Sequence, residues 1–468
     1  MQTDYLIIGS GAVGMAFADT LLDESDAHIT IVDRHDKPGG HWNDAYSFVT
    51  LHQPSAFYGL NSRELGSHRK DDSGPNSGMY ELAGGAEVTT YFDQAMQQKF
   101  LPSGRVRYFP MSDYRGEGRI VSLLSGAETM LTVRRKTVDA TLISPSVPST
   151  HTPKFAAAHG VRVMAPNGLP RLWLQDAGNA MARQFCILGA GKTAMDAVIW
   201  LLRNGALPDS IQWVVPRDSW LQNRLQTQPG LDFFNDSIGG EADRMAAFAE
   251  SKTIDELFFK LESLGQMLRI DPDHTPTMYH YATLSTGELE LLRRITRVIR
   301  KGRVRSIASD AMVLDQGTVA MDAGTLYVDC TASAIKYDAP TPVFQGDRIS
   351  IQLLRAPLVT LSAALTAYVE VHGGDEAHKN LLCTPIPFPN DLAGFARATH
   401  ANLMNQFHWS QDKALRQWMR QSRLDIFSKM VAELDKEDTE RQAIVGRLRA
   451  SMMGAMGNMP NLMKTAAV

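Results

Sequence analysis

Cysteine is scarce in this chain. There are three in 468 residues, Cys186, Cys330 and Cys383, and no two form a Cys-x-x-Cys pair. That spacing argues against a redox-active dithiol and against a structural zinc. Cys186 and Cys330 fall inside apolar strand patterns, which marks them as inert core thiols of a reducing cytoplasm. Long hydrophobic runs are lacking too. No stretch reaches 18 apolar residues, so no membrane-spanning helix is expected. Neither sign of charge dominates. The formal net charge of -4 gives no pull toward nucleic acid or an anionic membrane surface. No leader is expected, because an ordered pattern begins at Tyr5 with no charged segment and apolar core before it. Apolar material is plentiful: at 44% hydrophobic residues, two or three domains can each fill a core. A homo-oligomer is compatible with this composition.

Two glycine-rich loops carry the chemistry. The first, Gly9-Ser10-Gly11-Ala12-Val13-Gly14, follows the apolar run Tyr5-Leu6-Ile7-Ile8 and opens a helical pattern through Ala16, Phe17, Thr20 and Leu21. Strand, tight turn and helix in that order give the motif its meaning. Gly9 permits the turn, Gly11 lets the backbone approach a pyrophosphate, and Gly14 lets helix and strand pack closely. The helix N-terminus offers free N–H groups and a positive dipole end to phosphate. A second strand, His28-Ile29-Thr30-Ile31-Val32, ends in Asp33, about 20 residues on, where a carboxylate accepts from ribose hydroxyls.

The second loop, Gly189-Ala190-Gly191-Lys192-Thr193-Ala194, follows Phe185-Cys186-Ile187-Leu188. Its helix carries an apolar stripe through Ala194, Val198, Leu201 and Leu202, and Gly205 is placed to end it. The next strand, Ile211-Gln212-Trp213-Val214-Val215, ends in Pro216-Arg217 rather than in an acid. An acid there would repel a 2′-phosphate and an arginine would pair with it, so NADPH is expected over NADH, with Arg217 discriminating. A solvated surface arginine is the alternative. Trp220 is a candidate cover for the adenine.

Asp33-Arg34-His35-Asp36-Lys37-Pro38-Gly39-Gly40-His41-Trp42 resembles the flavin-contacting stretch of class B flavoprotein monooxygenases. Leu51-His52-Gln53-Pro54-Ser55 looks like their segment beside the isoalloxazine ring, and Leu60-Asn61-Ser62 resembles the Asn-Ser pair of flavin-containing monooxygenases. Gly189 to Asp196 and Trp213 to Trp220 are similar to the family's NADPH half. Asp329-Cys330-Thr331-Ala332 looks like the strand end where the chain returns to the flavin domain. The resemblance covers roughly residues 1 to 220 and a short stretch near 329. It implies bound FAD, held by Gly9, Gly11, Gly14, Asp33, Arg34, Gly40, His41, Trp42, His52, Gln53 and Asp329. NADPH falls to Gly189, Gly191, Lys192, Thr193 and Arg217. Asn61, His52 and Gln53 are the implied catalytic group at the flavin edge, and His41 and His52 are candidates for proton delivery. The family's linker between the loops carries a Phe-x-Gly-x-x-x-His signature. This chain reads Ser144-Pro145-Ser146-Val147-Pro148-Ser149-Thr150-His151-Thr152-Pro153-Lys154-Phe155, without the glycine and the spacing.

An α/β architecture is therefore expected, with two Rossmann-like dinucleotide-binding domains and a helical C-terminal region. Residues 1–155 read as the first part of the FAD domain, with a loop or flap from Gly66 to Gly85 and a small meander before Thr141. Residues 160–325 read as the NADPH domain, with a partly helical insertion at about 226–300. Ser285-Thr286-Gly287-Glu288 is a capping-box pattern. The arginines that follow, 293 to 305, read as a solvated face or as a positive field near the NADPH phosphates. Residues 326–468 read as the return to the FAD domain plus helices. Phe407, Trp409, Leu415, Trp418 and Met419 recur there at helical spacing, as core or as pocket lining. The Met- and Gly-rich tail from Ser451 reads as a frayed terminus or as a segment packed over the pocket. The resemblance implies a monooxygenase that adds dioxygen at the flavin C4a and oxidises a small organic substrate. The missing linker signature favours an NADPH-dependent flavin oxidoreductase that only passes electrons. A non-catalytic sensor of NADPH is the third reading.

Overall fold

The computed structural model describes residues 1–142, 146–181, 183–333 and 339–465. Ser144 and Pro145 of the linker, and Ala466 to Val468 of the tail, lie outside them. Two mainly parallel sheets organise the chain. In the first, the order is Phe344–Gln345, Arg348–Ser350, Thr132–Asp139, Gln2–Ile8, Ile29–Val32 and Val106–Phe109. In the second, it is Arg297–Ile299, Ile211–Val214, Phe185–Leu188, Leu326–Asp329 and Arg162–Met164. Each glycine loop leaves a central strand whose residues are buried on both faces, which suits the continuous apolar runs Tyr5–Ile7 and Phe185–Leu188. The helices Ala12–Glu24 and Lys192–Arg203 follow directly. The two halves share register as well as order. Ile8, just before Gly9, pairs with Val32 and Asp139; Leu188, just before Gly189, pairs with Val214 and Asp329.

That equivalence corrects one expectation. Leu326–Asp329 belongs to the second sheet, beside Phe185–Leu188, so the chain has not returned to the first domain at residue 326. It returns at Phe344–Gln345 and Arg348–Ser350, and the latter strand pairs with Thr132–Asp139. The helix Val359–His372 then packs on Ala12–Glu24, within one core that includes Phe17, Leu21, Leu361 and Leu365. The meander is present as Ser112–Tyr114, Arg119–Ser122 and Glu128–Met130.

The insertion and the C-terminal region build a third core. Helices Gly240–Glu250 and Ile254–Ser263 meet Leu392–Gln411 and Thr439–Thr465 through Phe248, Phe258, Phe395, Leu403, Ala455, Met459 and Leu462. The tail is therefore no frayed end up to Thr465: tertiary burial holds a helix that its glycines and Pro460 would weaken alone. Trp220 is part of this core, stacked on Phe258 with centroids 5.6 Å apart, so it cannot cover an adenine. Of the helical stripe, Trp409, Leu415, Trp418 and Met419 are buried, while Phe407 is half exposed. No helix among the described residues is long and apolar enough to cross a membrane.

The Gly66–Gly85 loop is fastened rather than flap-like. Tyr80 N donates to Gln228 Oε1 at 2.8 Å, Ser285 Oγ to the Pro75 carbonyl at 2.8 Å, and Arg224 Nη1 to Asn76 Oδ1 at 2.5 Å. The capping box behind these bonds is formed, with Ser285 and Glu288 satisfying each other's backbone. Arg224 is fully buried and spans the halves. Its Nη1 donates to Glu288 Oε2 at 2.6 Å and its Nε to the His52 carbonyl at 3.0 Å.

Candidate functional site

Both glycine loops leave a helix start without a side-chain cap. Each helix starts on a glycine N-cap, Gly11 and Gly191, with no side-chain cap, so the first N–H groups are left for a ligand. Gly14 packs so tightly that a Cβ would overlap the Gly9 carbonyl oxygen. At Gly189, where φ is +113°, a Cβ would sit 2.7 Å from the Cys330 carbonyl oxygen. A Cβ on Gly191 would meet nothing within 4 Å among the described residues.

The loops differ in what covers them. The Gly191 loop opens on a cavity of about 1350 Å³, larger than the ~300–1,000 Å³ of an ordinary ligand site. Over the first loop lies Gly40, whose Cβ would come within 2.9 Å of Gly11 Cα. Gly39 N donates to the Ser10 carbonyl at 2.9 Å. Asp33 stands at the expected strand end, but its carboxylate accepts from Ser10 N at 2.5 Å, Ser10 Oγ at 2.9 Å and His35 N at 2.8 Å. A ribose would have to share these oxygens. His35 is held between Asp33 (2.9 Å) and Asp44 (2.8 Å), and the Asp33 bond first, then Asp44, raises its pKa to about 9. Arg34 is spent on Asp113 at 2.9 Å.

Of the sequence-derived residues, the cavity gathers His41, Trp42, His52, Gln53, Gly189, Gly191, Lys192, Thr193 and Arg217. The residues expected beside a flavin and those expected beside a nicotinamide thus face one space. His41 and Trp42 stack with centroids 5.2 Å apart, and Trp42 Nε1 donates to Tyr58 Oη at 2.8 Å. Burial depresses His41 to about 4 and, with Lys192 and Arg224 adding to it, His52 to about 3. Burial thus favours the neutral imidazole at both positions near pH 7. Each remains a hydrogen-bonding group.

The other expected members stand apart. Asn61 is not among the cavity-lining residues, and its Oδ1 accepts from Ser422 Oγ at 2.8 Å. Asp329 closes the turn beside Gly189, accepting from Thr331 N at 2.9 Å and Thr331 Oγ1 at 2.6 Å. Asp139 makes the same pair of bonds with Thr141 in the first half, at 2.9 and 2.7 Å. Asp329 is thus the second loop's own turn residue. Gly9, Gly11, Gly14, Asp33 and Gly40 form the first loop, outside the cavity wall.

Sequence reasoning missed a clamp on the second loop. Tyr46 Oη donates to Asp196 Oδ2 at 2.8 Å, and Lys192 Nζ pairs with Asp196 on the same helix. The i,i+4 spacing of Lys192 and Asp196 was a readable signal; the approach of Tyr46 was not. The basic stretch from 293 to 305 divides. Arg293 donates to the Ile270 and Arg269 carbonyls and Arg300 pairs with Asp218 and Asp271, while Arg303 and Arg305 line the cavity.

A sequence profile of the NAD(P)-binding Rossmann-like domain matches residues 7–58. Over 469 aligned residues the chain is 43% identical to the uncharacterized protein Rv2000 of Mycobacterium tuberculosis, covering all of this chain and 85% of that one. The uncharacterized protein Mb2023 of Mycobacterium bovis matches to the same extent. Among solved structures, a polycyclic ketone monooxygenase of the fungus Thermothelomyces thermophila superposes with a TM-score of 0.54 at 12% identity, over 97% of this chain and 88% of that one. That likeness shows a common fold.

Proposed function

From the premise that this chain belongs to the family of the mycobacterial protein Rv2000, matched along its whole length, we propose that it is an FAD- and NADPH-dependent oxidoreductase, more narrowly a flavin monooxygenase of a small organic substrate. The observation that carries this reading is the single cavity shared by His41, Trp42, His52 and Gln53 from the first half and Gly189, Gly191, Lys192, Thr193 and Arg217 from the second. The monooxygenase of like fold supports it as an analogy only.

FAD would lie on the uncapped helix behind Gly11 and Gly14, with its ring end toward His41, Trp42, His52 and Gln53. When bound, it supplies the hydride acceptor and the reactivity toward dioxygen. The residues of this chain supply placement. Gly191 leaves open space for a pyrophosphate. The Tyr46–Asp196–Lys192 clamp holds that loop against the first half. Arg217, exposed at the cavity edge, reads the 2′-phosphate. Neutral His52 offers a hydrogen bond without adding charge next to a reduced ring. Its backbone is fixed through the Arg224 bond to its carbonyl.

Five measurements test the reading. The purified protein should carry FAD, and NADPH should bleach it under anaerobic conditions. Arg217→Ala should weaken NADPH by about 10- to 100-fold, the worth of one charge-assisted contact, and leave NADH unchanged. Admitting labelled dioxygen then separates the alternatives: label in the product supports oxygenation. Turnover only with an added organic acceptor supports the second reading. That reading is favoured by the linker, whose Ser146, Val147 and Pro148 line the cavity without the family signature. Asn61→Asp tests the outlying candidate; unchanged coupling of NADPH use to product makes Asn61 a turn residue.

A further inference from the structure

The cavity is far more basic than the molecule around it. Among the described residues, ten lysines and arginines line it against two carboxylates, Glu241 and Asp425, in a chain of net charge -4. Both carboxylates are engaged. Glu241 pairs with Arg244 at 2.8 Å, and Asp425 accepts from Ser428 Oγ at 2.5 Å. Of the second half's cations, Lys192 is paired with Asp196 and Arg305 with Asp315, and a phosphate-bearing nucleotide accounts for Arg217 and Arg303. It does not account for Arg355.

Arg355 lies in the first half, in the loop that leads into Val359–His372. Its backbone is pinned from three directions. Ser362 Oγ accepts from Leu354 N at 3.0 Å and Arg355 N at 3.1 Å. Asn405 Nδ2 donates to the Leu354 carbonyl at 2.9 Å, and Asn402 Oδ1 accepts from Ala356 N at 3.0 Å. The guanidinium that this fixed backbone presents is half-buried and lines the cavity. Among the described residues it has no hydrogen-bond or ion-pair partner. A partly desolvated cation without an acceptor is costly until an anion arrives, and guanidinium matches a planar carboxylate.

Tyr281 faces the same cavity. It holds a φ of +57° inside the strand Met278–Leu284, a conformation that costs an aromatic residue about 1–3 kcal/mol and marks functional sites when it occurs there. Its hydroxyl has no partner among the described residues. Burial raises the phenol above its ordinary range against the pull of the Arg244 and Arg355 charges, so it is a neutral donor. Phe388 stands 5.5 Å from its ring, and Phe395, Leu403, Trp409 and Met452 continue an apolar wall.

We propose that Arg355 anchors a carboxylate on the substrate, with the Tyr281 hydroxyl as second donor, and that the protein acts on carboxylic acids with an apolar body. This rests on reading the cavity as a substrate site, so the test measures binding without turnover. Tryptophan fluorescence or calorimetry on the purified, cofactor-loaded protein compares two matched pairs, decanoate with decanol and 4-phenylbutyrate with 4-phenylbutanol. In at least one pair the acid should bind ten-fold or more tightly than the alcohol. Arg355→Met should erase that preference and leave alcohol binding and flavin content unchanged, and Arg355→Lys should recover part of it. Should Arg355→Met misfold, the wild-type pairs and Arg355→Lys still decide. No acid preference in either pair, absence of binding included, overturns the proposal. So does equal loss of acid and alcohol in Arg355→Met, or a loss of NADPH affinity in its place. Missing flavin or missing reduction by NADPH would fail the oxidoreductase reading and leave the acid preference to be judged by itself.

Discussion

Gly14 and Gly191 occupy different glycine positions in the two loops and predict opposite losses. Gly14→Ala forces a methyl into the Gly9 carbonyl and should cost about 1–3 kcal/mol of stability. Gly191→Ala adds a methyl to open space, so stability should hold within about 0.5 kcal/mol while NADPH affinity falls ten-fold or more. Urea titration and NADPH titration of both variants check the pair. His35 carries a pH prediction. Its folded pKa of about 9 lies above the ~6.5 of an unfolded chain. The Asp33–His35–Asp44 contribution is therefore complete below about pH 6.5 and lost as pH rises through 9. With solvent screening allowed for, it amounts to about 1–2 kcal/mol. His35→Asn should flatten the fall in Tm across that window, and an unaltered slope would remove His35 from the account. Residues such as Gly11 and Asp33 were legible because their meaning lies within one strand-turn-helix unit. Arg355 was not, because a lone arginine in a loop gains meaning only from what the folded cavity wall leaves unpaired around it.

Elements were legible where pattern and packing agree. The strands before both glycine loops, the helices after them and the capping box at Ser285 stand where their periodicity and caps put them. The end of the chain was misread because Gly454, Gly457 and Pro460 argue locally against a helix that Ala455, Met459 and Leu462 make by burial. Met459→Ala should therefore destabilise the protein by about 2–4 kcal/mol; a frayed tail would register nothing in a thermal melt. The return point of the chain was misplaced for another reason. Asp139-Ala140-Thr141 and Asp329-Cys330-Thr331 make the same turn at the same register, so the sequence near 329 looks like the first domain while belonging to the second.

At the scale of the whole molecule, the excess of cations around one cavity should speed capture of anions. The association rate of NADPH should fall by about ten-fold or more as salt rises from 0.05 to 0.5 M, because steering is screened beyond a few ångströms. Reduced nicotinamide riboside, which has no phosphate, should show little change; stopped-flow quenching of the flavin follows both. The join between the halves was beyond sequence reasoning, since Arg224 and the His52 carbonyl that it reaches sit 172 positions apart and Arg224, held in place by Glu288, belongs to no glycine loop. That join also bears on inheritance. Loss of Arg224 or Glu288 alone strands a buried charge, at about 3–5 kcal/mol, whereas exchange of both for apolar residues of similar volume removes the two charges together. Against the ~5–15 kcal/mol of an ordinary domain, either single change would remove a large share of the folded margin. The two positions are therefore expected to change together or not at all.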